Sequence, residues 1–510
     1  MKMKQPKTVF ECAIEIVSPV HLGCGEVYEP TSFAVDEEKN ELIVFDPIFF
    51  VKNLEEEDRQ RFSETCKKGT VASIIEVYKF LRSQKPAGRR IKLCNDFVDH
   101  YQSVLKLGTD ERKILQNLNR FEISRTAFRP SDDRAYIPGS AVKGALRTAF
   151  VNYAAGKKNI PKENKRKGQD LEKMLLEFNP NKTETDPFRL VKVSDFQPAG
   201  YVNTKIVYAV NKKKKPSDKQ PRGIAHILEV IEPGALFTGS ITVEQASDAA
   251  DIHWPVVFEE LMAGALTFFK EENLREIKEL KGAGINGTAA DAGQNRLPLR
   301  IGRHSGAESL TIDGHRNIKI ITADRKKPRF DKKASTIWLA SETKNNQYNK
   351  GLLPFGWVCI QELSGDLHKK TLSYERDFQA DLEIRKKNKQ EAIQKAREEK
   401  EQQQQEAEKK ERELAEKARQ EAEEKAALEA MTPEEREIRE LQQPDVLEEK
   451  INIAFKKLDE FAPENQKKAA QLIKAYWQAN NKWTKKGFSN KQWKAAREKI
   501  DKIKSILGEQ

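Results

Sequence analysis

Near Tyr374 the composition of this 510-residue chain changes, and the change limits what each side can fold into. Residues 381–430 are dominated by Glu, Lys, Arg, Gln and Ala. Leu and Ile are too sparse there for a sustained heptad seam. The pattern predicts an isolated, solvated helix held by Glu–Lys pairs three or four apart, with disorder as the alternative. Beyond it, Thr432-Pro433-Glu434-Glu435 predicts a helix start, with Thr432 as cap and Pro433 in the first turn. Residues 433–508 then read as a small helical bundle with Leu472, Tyr476, Trp483 and Trp493 in its core. The competing role for those aromatics is stacking on RNA.

Ahead of the switch the chain has enough apolar residues for sizeable cores, and its length points to two or three domains. Val9 to Val17, partly alternating, reads as a strand, and ELIVFDP predicts a second. Residues 53–123 are mostly helical in pattern. FRLVKVSDF, TKIVYAV and the pair within AHILEVIEPGALFTGSITVEQ return to strand composition. A helix from VVFEEL onward leads into glycine-rich sequence from Gly282 to Gly314, and ASTIWLA and GWVCIQEL supply the last strands. Basic stretches at 157–167 and 211–221 read as exposed loops. Strands and helices mixed without regular βαβ spacing give an α+β fold class.

The net charge of +12 favours an anionic partner, and nucleic acid is the commonest one. Five cysteines without a C-x-x-C pair point to a reducing cytosol rather than a disulfide framework. The N-terminal sequence lacks a signal-peptide apolar region, and charges interrupt every apolar stretch, so a soluble cytoplasmic protein with no membrane partner is expected.

Three short motifs carry chemistry. In Tyr136-Ile-Pro-Gly-Ser-Ala-Val-Lys-Gly-Ala-Leu-Arg-Thr-Ala-Phe150, Pro138-Gly139 makes a turn and Ser140 is placed to cap a helix. Lys143 and Arg147, four apart, share a face beside the free amides of the helix start, which suits phosphate. Gly144 leaves room for close backbone approach. The plainer reading is a capped helix with solvated cations. In Ser18-Pro-Val-His-Leu-Gly-Cys-Gly25, Gly23 and Gly25 form a flexible strand-end turn suited to backbone contact with RNA. His21 is a general base in one reading and a packing residue in the other. In Leu297-Pro-Leu-Arg-Ile-Gly-Arg-His-Ser-Gly306, Gly302 and Gly306 bracket Arg303 and His304 in a candidate anion nest; the alternative is a mobile surface loop.

The order of these motifs, S-P-x-H-x-G-x-G, then Y-I-P-G-S-x-x-K-G-A-x-R-T-A, then G-R-x-S-G, resembles the RAMP superfamily of type III CRISPR effector complexes. Within it the chain is similar to the fifth Csm subunit over roughly residues 8–365. The resemblance implies ferredoxin-like, RRM-like modules with glycine-rich loops on CRISPR RNA. It implies a non-catalytic subunit, without cofactor or metal, at the 3′ end of the guide that caps the filament of backbone subunits. Target RNA would lie nearby, and the backbone and small Csm-type subunits would be neighbours. The implied RNA-binding residues are His21, Gly23, Gly25, Arg134, Gly139, Ser140, Lys143, Gly144, Arg147, Gly302, Arg303, His304 and Gly306. The implied organisation is an N-terminal RAMP module at 1–186, a C-terminal RAMP module with the glycine-rich loop at 187–374, a charged helical linker at 375–432 and a small helical domain at 433–510. The family ends near the GW strand, so residues 375–510 depart from it. The extension could reach a neighbouring subunit, an RNA end or a recruited nuclease, and a near balance of charge in the long helix ranks a protein partner first.

Other motif readings lack their context. Ser140-x-x-Lys143 has no later K-T-G, and Gly282-Ala-Gly-Ile-Asn-Gly287 follows a charged helix rather than a strand. The alternative function is a RAMP endoribonuclease that processes guide RNA or cuts target RNA. Its candidate residues are Asp132 and Asp133, or His21 with His304.

Overall fold

The computed structural model describes residues 7–108, 110–161, 168–215, 223–247, 251–285, 296–321 and 327–509. They divide into two compact units, Met1–Lys389 and Gln390–Gln510.

The first unit mixes sheets and helices. In chain order its strands are β1 (Lys7–Ile16), β2 (Gly23–Val27), β3 (Phe33–Asp36), β4 (Glu41–Val44), β5 (Arg89–Leu93), β6 (Ile123–Thr126), β7 (Val191–Val193), β8 (Gln197–Pro198), β9 (Thr204–Lys213), β10 (His226–Ile231), β11 (Leu236–Glu244), β12 (Leu297–Arg300), β13 (Ile318–Ile320), β14 (Arg329–Asp331), β15 (Thr336–Ser341), β16 (Leu353–Pro354) and β17 (Trp357–Glu362). Its helices are α1 (Pro47–Lys52), α2 (Glu56–Lys67), α3 (Val71–Gln84), α4 (Phe97–Leu105), α5 (Glu111–Leu118), α6 (Gly139–Lys157), α7 (Gly168–Leu176) and α8 (Phe258–Gly282).

One sheet runs β12-β17-β1-β11-β7, antiparallel throughout. Along the chain, α6 lies between β1 and β7, and α8 between β11 and β12. Their apolar faces meet the sheet in one core that includes Ile14 and Ile16 of β1, Leu146 and Phe150 of α6, Phe268 and Phe269 of α8, and Val358 and Ile360 of β17. Burial of this apolar surface is the main force joining the layers. The other sheet runs β2-β6-β10-β9-β5-β4-β3. The long strand β9 pairs through Lys205 and Ile206 with β5, and through Tyr208 to Lys213 with β15. Helices α3 and α4 supply Ile75, Tyr78, Phe97 and Tyr101 to the core beneath it.

Strands adjacent in sequence do not always stay together. β10 and β11 join different sheets, and the chain passes between them through a turn whose Gly234 has φ +88°. Both sheets draw strands from either side of residue 186. A cut there would part β1 from its two neighbours, β11 and β17.

The basic stretch expected as a loop from 211 differs from its reading. β9 continues through Lys213, Lys212 donates to Asn349 Oδ1 at 2.8 Å, and Lys214 pairs with Glu308 at 2.5 Å and Glu279 at 2.8 Å. Residues 216–221 of that stretch, 162–167 of the other basic stretch, and Asn286 and Gly287 of the glycine motif lie outside the described residues.

Helix α9 (Gly365–Ala430) crosses the division between the units. Pairs such as Arg385–Asp381 at 2.6 Å and Arg419–Glu423 at 2.8 Å, four apart, support its exposed length. The second unit holds α10 (Pro433–Leu441), α11 (Glu448–Lys456), α12 (Pro463–Ala479) and α13 (Asn490–Leu507). Thr432 caps α10 in a capping box with Glu435. The bundle core centres on Ile451, Leu458, Ile473, Trp477 and Ile503. Leu472, Tyr476, Trp483 and Trp493 pack on its rim, partly buried. The buried face of α12 is set by Ile473 and Trp477, four apart and one residue on from the expected pair.

Candidate nucleic-acid interface

The first and late glycine loops are built as one structure. Two residues past β1, the Ser18 hydroxyl accepts from the Trp357 amide at 2.9 Å. His21 is buried, and its Nδ1–H donates to the Glu229 carbonyl at 2.7 Å. Burial holds its pKa below the usual value, so the ring is neutral. The His21 carbonyl accepts from the Arg303 amide at 2.9 Å. A side chain on Gly302 would place its Cβ 2.5 Å from that oxygen, and Gly302 has φ +82°. Only glycine fits both the contact and the conformation. Gly25 shares the same φ, +82°, but a Cβ there would meet nothing within 4 Å. Gly23 and Gly25 lie exposed on β2, at the end of their sheet's strand order.

The late loop is anchored at both ends by buried charge. Arg300 at its start pairs with Glu276 at 2.7 Å, and Glu276 also accepts from Trp357 Nε1 at 2.6 Å. Glu308, just past its end, takes Lys214 and the Ala334 amide at 2.8 Å. Between them His304, at φ +65°, lies 4.7 Å from the Trp338 ring and 5.4 Å from Phe355. Burial, then Arg303, His226 and His21, push its pKa down to about 3. Arg303 is exposed, with Nη2 3.2 Å from His226 Nδ1. Gly306, at φ +83°, lets the chain turn beside the Arg300 guanidinium.

The central motif and Arg134 just before it depart from their reading in three ways. First, α6 starts at Gly139 after Pro138, and Ser140 is not its cap. The Gly139 amide instead donates to Asp195 at 2.8 Å, so a carboxylate of the chain already occupies the anion position at this helix start. A Cβ at Gly139 would lie 2.3 Å from the Val193 carbonyl, so this glycine serves the packing of α6 against β7. Second, Arg147 is committed: it pairs with Asp186 at 2.9 Å and with Glu172, over the rings of Phe178 and Phe188. Third, Arg134 is buried, held by Asp132 at 3.0 Å and Glu375 at 2.9 Å, with its guanidinium 3.8 Å from the Phe378 ring. Arg134 and Arg147 are thus each held in ion pairs within the chain. Lys143 remains half-buried with no ion-pair partner among the described residues. Burial, then Lys192 and Arg147, lower its pKa. Ser140 and Gly144 are exposed on the same helix.

Among the described residues no hydrogen bond or ion pair joins Lys143 or Arg147 to the two loops. Those loops meet each other and β6: the Leu22 amide donates to Thr126 Oγ1 at 3.1 Å. Glu229 organises the ground beneath them. It takes Tyr28 at 2.8 Å, Arg89 at 3.1 Å and the Thr126 amide at 3.2 Å. Asp133 bridges Arg89 and Arg125, and Asp132 takes Arg129 and Arg134, so each candidate nuclease carboxylate is already held by two arginines. Sequence reasoning missed Glu229, His226, Trp338 and Lys192. The only prior sign was composition, a buried-looking Glu within AHILEV and a Trp within STIWLA.

Comparisons with known proteins bear on the family of the chain. The model of the RAMP superfamily matches residues 13–293. The Streptococcus thermophilus protein named CRISPR system Cms protein Csm5 is 22% identical over 329 residues, covering 61% of this chain and 82% of that protein. The Methanocaldococcus jannaschii protein of the same name is 26% identical over 196 residues, 36% of this chain and 42% of that protein. Among solved structures, a chain of a Csm–crRNA–target RNA ternary complex of a type III-A CRISPR-Cas system aligns with TM-score 0.46 and 19% identity, over 69% of this chain and all of that one, 100%. T. onnurineus Csm5 aligns with TM-score 0.40 and 16% identity, over 68% and 99%. With more than half of its length matched by the family model, the chain belongs to the RAMP superfamily.

Proposed function

We propose that the chain is a non-catalytic, RNA-binding subunit of a type III, Csm-type CRISPR effector complex, holding the 3′ region of CRISPR RNA and capping the backbone filament. One observation carries the reading. The first and late loops are locked together at the His21 carbonyl, leaving Gly23, Gly25 and the exposed Arg303 facing outward as a rigid backbone-and-cation surface. Such a surface contacts phosphates without reading bases. The order β17-β1-β11-β7, with α6 and α8 as crossovers, supports a ferredoxin-like, RRM-like module. Lys143, Ser140 and Gly144 form a second, separate contact. We read residues 375–432 as a linking helix and 433–510 as a domain of its own. Target RNA and the backbone and small subunits are the neighbours this placement implies, in the cytoplasm. No described helix is long and apolar enough to cross a membrane.

A nuclease reading finds less support. Asp132 and Asp133 are neutralised by arginines, and His21 and His304 are held neutral by burial. The test mixes the protein with labelled CRISPR RNA and a matching target, with and without magnesium, and measures retention and strand length. Salt-sensitive binding with both RNAs intact is expected. Cutting that disappears in His304→Ala would overturn the non-catalytic assignment.

A further inference from the structure

The helical unit after α9 segregates its charge along the chain. From Met431 to Glu464, ten carboxylates face five cations; from Gln466 to Lys504, eleven Lys and one Arg face only Glu498 and Asp501. The acidic half neutralises part of the basic half. Lys482 pairs with Glu448 and Lys502 with Asp459 at 2.6 Å, while Lys474 is taken by Glu509 at 2.5 Å. Four of the remaining cations fall in one short segment. Lys485, Lys486, Lys491 and Lys494 are exposed and have no hydrogen-bond or ion-pair partner among the described residues. They sit in the turn between α12 and α13 and at the start of α13. Phe488 and Trp493 interleave with them in sequence, half-buried, with ring centroids 6.0 Å apart. Gly487, at φ +98° with open space around it, brings bare backbone to the same turn.

Unpaired like charges within one short segment repel one another, and an anionic partner offsets that cost. We propose that this turn is a second RNA-binding surface, gripping the phosphate backbone of a single strand with the edges of Phe488 and Trp493 beside it. Cations interleaved with aromatics suit a single-stranded polyanion better than a folded acidic protein. The choice of RNA over DNA rests on the guide-binding reading above. The extension would then extend the chain's hold on RNA, and tethering two weak surfaces raises the avidity of both.

The test uses the full chain and fluorescent oligouridylate, with binding followed by anisotropy across a salt series. Replacing Lys485, Lys486, Lys491 and Lys494 by Gln removes four phosphate contacts, so the slope of log K against log salt is expected to fall by about 3. The substituted side chains are exposed, so circular dichroism and melting are expected to be unchanged. Cross-links from 4-thiouridine should fall within residues 485–494. An unchanged slope, with cross-links only in residues 1–389, overturns the proposal. Retention of polyglutamate in place of RNA overturns it in favour of a protein partner, and preference for oligodeoxythymidylate overturns the choice of RNA. Failure of the guide-binding reading is distinct: it would show as an unchanged slope in Arg303→Ala and Lys143→Ala while the Gln variant still loses its share.

Discussion

Gly25 and Gly302 share a backbone angle of +82° and belong to motifs that look alike in sequence, yet they serve opposite ends. At Gly302 the missing side chain makes room for the chain's own His21 carbonyl. At Gly25 it makes room for nothing within the protein. The cations divide the same way. Arg134 and Arg147 are enclosed in ion pairs, whereas Arg303 is exposed and Lys143 lacks an ion-pair partner among the described residues. A motif residue can thus build the scaffold or face outward from it, and only its surroundings tell which.

The largest effect should come from the scaffold beneath the late loop. Glu276→Gln leaves Arg300 buried without its counter-charge and removes the carboxylate that Trp357 Nε1 reaches. Breaking one side of such a pair is expected to cost about 3–5 kcal/mol in denaturant unfolding. A loss below ~1 kcal/mol would mean the loop is not anchored there.

Next come the two glycines. Gly302→Ala combines left-handed strain with a collision against backbone, so about 3 kcal/mol is expected. Gly25→Ala should cost about 1 kcal/mol from strain alone and act chiefly on RNA affinity. Equal stability losses would erase the distinction between the loops.

Much of this was legible in the sequence. The alternation in β1, the capping box at Thr432 and the helical period of α8 all follow from local chemistry. Of the motif glycines, Gly25, Gly302 and Gly306 adopt a positive φ, which few other residues accept. The committed state of Arg147 was not legible: its partners Glu172 and Asp186 lie 25 and 39 residues away. Nor was the capture of the Gly139 amide by Asp195, 56 residues on. Local pattern names residue types; long-range pairing decides which are left free. The same limit hid the division of β10 and β11 between sheets, since a short turn reads alike whether it closes a hairpin or crosses layers.

A smaller effect should appear with acid. His304 is held neutral, with a folded pKa of about 3 against 6.5 when unfolded. Its neutral burial is therefore fully tolerated above pH 6.5, and stability falls as pH drops from there toward 3. His21 and His226 are also lowered and add to the slope. His304→Phe should flatten acid unfolding in this window; an unaltered profile would place the sensitivity elsewhere.

The outward-facing residues should leave stability almost untouched and change binding alone. The most direct measurement is the salt dependence of CRISPR RNA binding by the native chain, Arg303→Ala and Lys143→Ala. Each variant is expected to fold normally and to lose about 0.7 from the slope of log K against log salt, equally for any RNA sequence. Slopes unchanged in both variants would mean that neither cation meets a phosphate, and the loop surface would not be where the RNA lies.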